Sequence, residues 1–342
     1  MKGIILEEPG RFTVANLPPP REPKPGEALV EIHRIGICGT DLHAFQGNQT
    51  FFQYPRVLGH ELAAEVVLLG SAVKTIQVGD RCAVEPYLNC GDCIACHHGK
   101  PNCCLNLKVL GVHIDGGMCG KLTLSSKKLH KSKTLSLQEL ALVETLSIGA
   151  HAVRRAHLEP DESILVIGTG PIGLSVIESA RSKAGQVITM EISESRLDFC
   201  KSLNRVDHCL AVGEDPVKQL RDILSSDLPT AVFDCTGNPE SMESTFELVA
   251  HGGRLVFVGH HPGEITFQNS NFHARELTLL ATRNATSEDF RHVMGQMEQG
   301  LIKIDHWISE SIPTNCLIET FPRWLDTEWG VIKPLIEWEE PT

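Results

Sequence analysis

The chain has 342 residues, 42% of them hydrophobic and 22% charged, with a formal net charge of -12. That length suits two domains rather than one, and the acidic balance argues against nucleic acid or an anionic membrane as a partner. No uninterrupted apolar segment is long enough to span a bilayer, and the twelve cysteines suit metal ligands and reduced thiols of a cytoplasmic protein better than disulfides.

The first part has the punctuation of short strands and turns. Pro18-Pro19-Pro20, Pro23 and Pro25 mark an extended connection. Ala28, Val30 and Ile32 then alternate with Glu31 and His33, a half-buried strand running up to Gly36. Further apolar runs cover Leu62 to Leu69 and Cys82 to Val84. Around them lies a dispersed set of ligand-type residues: Cys38-Gly39-Thr40-Asp41-x-His43, Gly59-His60-Glu61, and later Glu144. A catalytic zinc needs a few protein ligands and one position kept open for a substrate oxygen. Cys38 and His60 supply sulfur and nitrogen; Glu61 or Glu144 supplies a carboxylate oxygen.

Cys90-x2-Cys93-x2-Cys96-x7-Cys104 is the most specific local signal in the chain. Four thiolates on one lobe, about residues 88–106, match a tetrahedral zinc whose positions are all filled by protein, which makes that site structural. Cys103 stands next to the last ligand and is the alternative to it.

Near residue 145 the texture changes. The apolar runs Ile164 to Ile167, Val187 to Met190, Ala231 to Phe233, Leu255 to Val258 and Leu277 to Leu280 alternate with helix-length segments such as Glu194 to Leu203 and Ser241 to Val249. That alternation predicts an α/β domain, a doubly wound parallel sheet covered on both faces. Gly168-Thr169-Gly170-Pro171-Ile172-Gly173 follows its first strand and opens a helix. The glycines allow a tight turn, close approach of backbone to a pyrophosphate, and close helix–strand packing. Pro171 begins the helix, whose free N–H groups suit phosphate. The next strand ends at Glu191, where an acid binds a ribose 2′-hydroxyl and repels a 2′-phosphate, so NAD is expected rather than NADP. Arg196 nearby serves the cofactor by stacking on adenine, or serves a phosphate, or is a solvated helix residue.

Taken together, Gly36-Ile37-Cys38-Gly39-Thr40-Asp41, Gly59-His60-Glu61, the four-cysteine lobe and the Val166-to-Gly173 fingerprint resemble the zinc-containing medium-chain dehydrogenase (alcohol dehydrogenase-like) superfamily over essentially the whole chain. The resemblance implies a GroES-like β-rich catalytic domain, residues 1–144 and 283–342, and a Rossmann domain, residues 145–282. It also implies two zinc ions per chain, one catalytic and one structural, and a homo-oligomer, dimer or tetramer. Glu144-Thr145-Leu146-Ser147-Ile148-Gly149 together with Glu61 resembles the polyol branch, in which sorbitol, threonine and galactonate dehydrogenases fall.

The expected reaction is oxidation of a secondary hydroxyl of a small-molecule polyol or sugar acid to a ketone, with hydride passing to NAD. Thr40 and His43 are expected to carry the proton to solvent, with Glu144 and water as a second route. Arg283-Asn284 resembles the place where sorbitol dehydrogenases present an arginine to substrate, though Asn284 stands where that family has a tyrosine. An arginine there suits a carboxylate as well as a polyol. Phe45, Phe51 and Phe52 are candidates to wall the substrate site. The alternatives are a threonine or simple-alcohol dehydrogenase of the same superfamily, and a non-catalytic nucleotide-sensing protein on the same fold.

Overall fold

The structure is a computed structural model that describes residues 1–304, 306–326 and 330–341. The chain divides into two compact units, Met1–Glu144 with Thr286–Thr342, and Thr145–Ala285. The second division falls after Ala285, so Arg283 and Asn284 belong to the inner unit.

The outer unit is built on a mixed seven-stranded sheet. Its strands run in the order Leu129–Ser132, Arg81–Val84, Glu61–Leu69, Glu27–Gly36, Lys333–Glu337 and Ile308–Pro313, and Lys121–Ser125 also pairs with Glu27–Gly36. Glu27–Gly36 buries Ala28, Val30, Ile32 and Ile35, so the alternation in the sequence becomes the core face of this sheet. Glu61–Leu69 pairs antiparallel with it, Gly36 opposite Glu61. Lys333–Glu337 pairs antiparallel with its other side, Leu335 opposite Gly36. The carboxyl-terminal strand therefore lies beside the same end of Glu27–Gly36 that leads into Cys38.

A buried polar cluster fastens the returning segment. Glu85 is 1% exposed and bonds the Lys128 ammonium, His130 Nε2 at 2.9 Å and Ser287 Oγ at 2.6 Å. His130 also stacks on Phe290, ring centroids 5.0 Å apart, in the helix Ser287–Glu298.

The inner unit is a six-stranded parallel sheet in the order His208–Ala211, Gln186–Glu191, Ser163–Ile167, Ala231–Asp234, Arg254–Phe257, Thr278–Ala281. This is the doubly wound order of dinucleotide-binding sheets, with the reversal beside Ser163–Ile167. Ile164, Leu165, Val166, Val232 and Phe233 are wholly buried, as strands covered on both faces must be.

Several elements had no counterpart in the periodic reading, among them the helix Ser287–Glu298 and the strands Ile308–Pro313 and Lys333–Glu337. The helix Leu137–Ala156 is buried nearly all round, so it has no polar stripe to mark a helical period. Its signal was local: Ser136 and Glu139 form reciprocal side-chain-to-backbone bonds at 3.2 and 2.7 Å, a capping box. The strand His208–Ala211 is only four residues long with no residue fully buried, and half of the short helix Pro216–Ile223 is polar, so neither carries a clear apolar period.

Burial pushes the Glu85 carboxyl up, but His130, Lys128 and Ser287 together overcome this and hold its pKa below the usual value. Its ionised form therefore stabilises the fold above the unfolded pKa, and that contribution is lost as the pH falls through the lower folded value. Glu85→Gln should cost on the order of 2 kcal/mol at pH 7 and flatten the acid limb of stability between about pH 5 and 3. Urea unfolding across that range checks both effects; an unchanged acid limb would contradict the assignment.

Candidate functional site

The outer unit gathers the dispersed ligand-type residues at one end of Glu27–Gly36. Cys38 is the N-cap of the helix Gly39–Gln46, and its backbone N–H donates to Asp41 Oδ2 at 3.0 Å. His60 and Glu61 lie at the start of the neighbouring strand, 5% and 0% exposed. One ligand atom each from Cys38, His60 and Glu61 lie within 4.8 Å of one another. Gly36 is required here, because a Cβ on it would stand 2.1 Å from Glu61 Oε2.

Asp41 and His60 explain each other. Asp41 Oδ1 faces His60 Nδ1 at 3.6 Å, and neither buried atom has another hydrogen-bond partner. A carboxylate on one ring nitrogen orients an imidazole and leaves the other nitrogen to a metal. Burial disfavours the charged imidazole, but Asp41, Cys38 and Glu144 outweigh it and raise the His60 pKa well above its usual value. Cys38, Asp41, Glu61 and Glu144 therefore concentrate negative or potentially negative donors in a buried space. Sulfur, nitrogen and oxygen donors in that charge balance fit a divalent cation such as zinc.

The carboxylates have different partners. Glu61 is held at both oxygens by Lys333 Nζ, at 2.6 and 2.8 Å, and Lys333 also donates to the Ile37 carbonyl at 3.2 Å. Lys333 is 1% exposed, and the Glu61 charge beside it overcomes the burial that would neutralise it, raising its pKa. Glu144 projects from the buried helix Leu137–Ala156 and accepts a hydrogen bond from the Tyr87 hydroxyl. Burial raises the Glu144 pKa to about 7, against the pull of His60. Glu144 falls outside the tightest cluster of ligand atoms, which holds Cys38, His60 and Glu61.

Thr40 and His43 sit three residues apart on the helix Gly39–Gln46, on one face. His43 is exposed, and its Nδ1 lies 3.0 Å from Asn48 Oδ1. Phe45 does not wall a site: it is 7% exposed and packs in the core against Phe12 and Phe321, centroids 5.3 and 5.0 Å away. Phe52 packs against Tyr54 at 4.8 Å, and Phe51 lies over His113 at 6.3 Å while 53% exposed.

The lobe brings the sulfurs of Cys90, Cys93, Cys96 and Cys104 within 4.8 Å of one another, and Cys103 is outside the group. Cys90 to Cys104 is 3.3 Å and Cys93 to Cys96 is 3.6 Å, close to the ~3.8 Å that a tetrahedral zinc–sulfur set requires. Backbone N–H groups at Leu105 and Cys96 pull the Cys93 thiol down to about 6, toward the thiolate a metal takes.

In the inner unit, Gly168 has φ +85°, a conformation costly to other residues. A Cβ on Gly173 would stand 1.8 Å from the Gly168 carbonyl oxygen, so the helix Pro171–Ala180 can begin there only from glycine. Gly170 is the helix N-cap, with Pro171 and Ile172 in its first turn. Glu191 ends its strand 5% exposed and accepts from Thr169 N at 2.7 Å, Thr169 Oγ1 at 3.0 Å, Ile192 N at 2.8 Å and Ser193 N at 3.1 Å. Burial raises its pKa, and these donors reverse that and keep it ionised. Arg196 reaches back over the same turn: its Nη1 lies 3.8 Å from where a Gly170 Cβ would be. Arg283 is exposed, and Asn284 adopts a left-handed φ of +51° with its buried Nδ2 lacking a hydrogen-bond partner.

Tyr87 and Lys333 escaped the sequence reading, as did Asp41 as an orienting group. Asp41 had a signal, the capping spacing after Cys38. Tyr87 and Lys333 had none, since only tertiary packing brings Tyr87 to Glu144 on its helix and only the sheet pairing brings Lys333 to Glu61.

Residues 24–134 match the family model for the alcohol dehydrogenase GroES-like domain, and residues 171–299 match that for zinc-binding dehydrogenases. The chain is 40% identical over 316 residues to the L-galactonate-5-dehydrogenase of Escherichia coli K12, covering 92% of this chain and 93% of that one. An alcohol dehydrogenase structure from Escherichia coli CFT073 complexed with NADH matches with a TM-score of 0.91 and 26% identity, covering 99% of both chains. A zinc-binding dehydrogenase from Sinorhizobium meliloti 1021 bound to NADP matches with a TM-score of 0.87 and 27% identity, covering 98% of this chain and 99% of that one.

Removing one partner of a buried ion pair strands the other charge. Lys333→Ala should therefore cost about 3–5 kcal/mol of unfolding free energy at pH 7, and Lys333→Met with Glu61→Gln should recover most of it. Denaturant unfolding of the metal-free protein measures this; a loss under about 1 kcal/mol would show that Glu61 does not depend on Lys333.

Proposed function

The chain belongs to the zinc-dependent medium-chain alcohol dehydrogenase family, and from that premise we propose that it oxidises a secondary hydroxyl of a sugar acid to the ketone with NAD, reversibly. A neutral polyol is the second substrate class of this reading. The observation that carries the reaction class is the cluster of half-buried Cys38 with buried His60 and Glu61, with Glu144 close enough to act on the His60 charge. The sugar-acid preference draws support from the relative named L-galactonate-5-dehydrogenase. In this proposal the chain takes two zinc ions, one at Cys38 and His60 with a carboxylate, the other at Cys90, Cys93, Cys96 and Cys104.

When bound, zinc at the first site supplies a Lewis acid that makes the substrate hydroxyl acidic, and nicotinamide supplies the hydride acceptor. The chain's own residues do the rest. Asp41 keeps His60 in one orientation, and Lys333 balances the Glu61 charge. Thr40 accepts the substrate proton and passes it outward, and exposed His43 exchanges it with solvent. His43 donating from Nδ1 to Asn48 leaves Nε2 free for that exchange. Glu144, with its pKa brought to about 7 by burial, exchanges a proton near neutral pH as the second route.

In the inner unit, Gly168, Gly170 and Gly173 let the backbone approach a pyrophosphate, and Pro171 and Ile172 open the helix whose N-terminus faces it. Glu191 presents an ionised carboxylate to the adenosine ribose, which favours NAD over the 2′-phosphate of NADP. To accept a ribose hydroxyl it exchanges one of its four present donors, and the Thr169 hydroxyl, 3.0 Å away, is the one side-chain donor among them and can rotate away. Arg196, lying over Gly170, suits stacking on the adenine or contact with phosphate oxygens. Arg283 and Asn284 remain the proposed substrate residues, the guanidinium matching a substrate carboxylate.

Glu191→Ala should weaken NAD by on the order of tenfold and shift preference toward NADP; equal titrations of wild type and variant with both cofactors would remove Glu191 from cofactor selection. The reaction itself is checked on zinc-replete protein with aldonates, polyols, threonine and unbranched primary alcohols, followed by NADH formation. Turnover of an aldonate or polyol is expected, and turnover of primary alcohols alone would overturn the substrate class.

A further inference from the structure

Tyr87 is one of only two tyrosines in the chain and is 2% exposed. It lies in a two-residue strand, Tyr87–Leu88, paired with Lys108–Val109. The four-cysteine lobe lies between these two strands. Its ring meets Phe290 edge-on, centroids 6.3 Å apart at 81°. Phe290 in turn stacks on His130, which bonds Glu85. The phenol thus has its backbone set by the ribbon at the base of the lobe and its ring set by the returning segment.

Its hydroxyl donates to Glu144 Oε1, and Glu144 is 5% exposed. The contrast with Glu61 is informative. Glu61 has both oxygens engaged by a cation, and freeing one breaks a buried ion pair. Tyr87 engages one oxygen of Glu144 with a neutral donor, so the other can turn to metal, water or substrate without leaving a lysine unpaired.

We infer that Tyr87 is a positioning residue for the dehydrogenase reaction, holding Glu144 by one carboxylate oxygen so that the other serves the Cys38–His60 site. This rests on the reading of Cys38, His60 and Glu144 as that site. It links the lobe to the chemistry: the same ribbon that carries Cys90 carries the group that aims Glu144.

The test uses the zinc-loaded enzyme as wild type, Tyr87→Phe, Glu144→Gln and the double variant. With a substrate from the panel above, Tyr87→Phe should lower kcat on the order of tenfold, the loss of one hydrogen bond to a charged group, and leave KM for NAD unchanged. In the Glu144→Gln background it should add nothing further. A second readout needs no Tyr87 variant. Labelling with 3-fluorotyrosine gives two ¹⁹F resonances, assigned with Tyr54→Phe. Glu144→Gln should move the Tyr87 signal and leave that of Tyr54 in place.

An unmoved Tyr87 signal, or a Tyr87→Phe loss that persists in full on Glu144→Gln, overturns the inference. If Glu144→Gln lowers kcat while Tyr87→Phe does not, only the positioning role falls. If Glu144→Gln leaves kcat unchanged, the reading of the site falls with it.

Discussion

Buried charge must be paired or neutralised, and in the outer unit that requirement governs the site. Cys38, Asp41, Glu61 and Glu144 converge where water is largely excluded, and Lys333 is the fully buried lysine among them. Each acid has a distinct means of coexisting with the others. Asp41 is tied to the Cys38 backbone and faces His60, Glu61 is matched by Lys333, and Glu144 is pushed toward its neutral form and bonded by Tyr87. What that balance still accommodates is a divalent cation on the sulfur and imidazole.

The same requirement explains the chain path. Lys333 stands 272 positions from Glu61, and it arrives only because its strand pairs with Glu27–Gly36 on the side opposite Glu61–Leu69. Gly36 must be glycine where these strands meet, since the Glu61 carboxylate lies against its Cα. Ser287 and Phe290 fasten the start of the returning segment through Glu85 and His130, and Phe290 also sets Tyr87. A segment without a ligand of its own thus places two of the groups that control the ligands.

The inner unit solves a different problem with backbone. Gly173 is dictated by a contact of 1.8 Å to a notional Cβ and Gly168 by a positive φ, and the unit's acid is fixed by four donors rather than by a counter-ion. Glu191 therefore presents a charge whose position and ionisation the neighbouring backbone already determines. That arrangement is local, spanning the end of one strand, the turn beside it and the first residues of the next helix.

Locality also decides what was legible beforehand. Residues acting through their own segment could be read from order and spacing: the fingerprint from Gly168 to Gly173, Glu191 at the next strand end, the four cysteines, and the pairs Cys38–Asp41 and His60–Glu61. The parallel sheet was legible because its strands are apolar on both faces, whereas Leu137–Ala156, equally buried, hid its helical period for that very reason. Tertiary structure alone decided that Glu61 is matched by Lys333, that Glu144 is bonded by Tyr87, and that Phe45 belongs to the core. The physical reason is common to all three. A partner for a buried charge or ring is chosen by which elements pack side by side, two strands for Lys333 and Glu61, a strand and a helix for Tyr87 and Glu144, and packing between separate segments leaves no mark in the spacing of either partner.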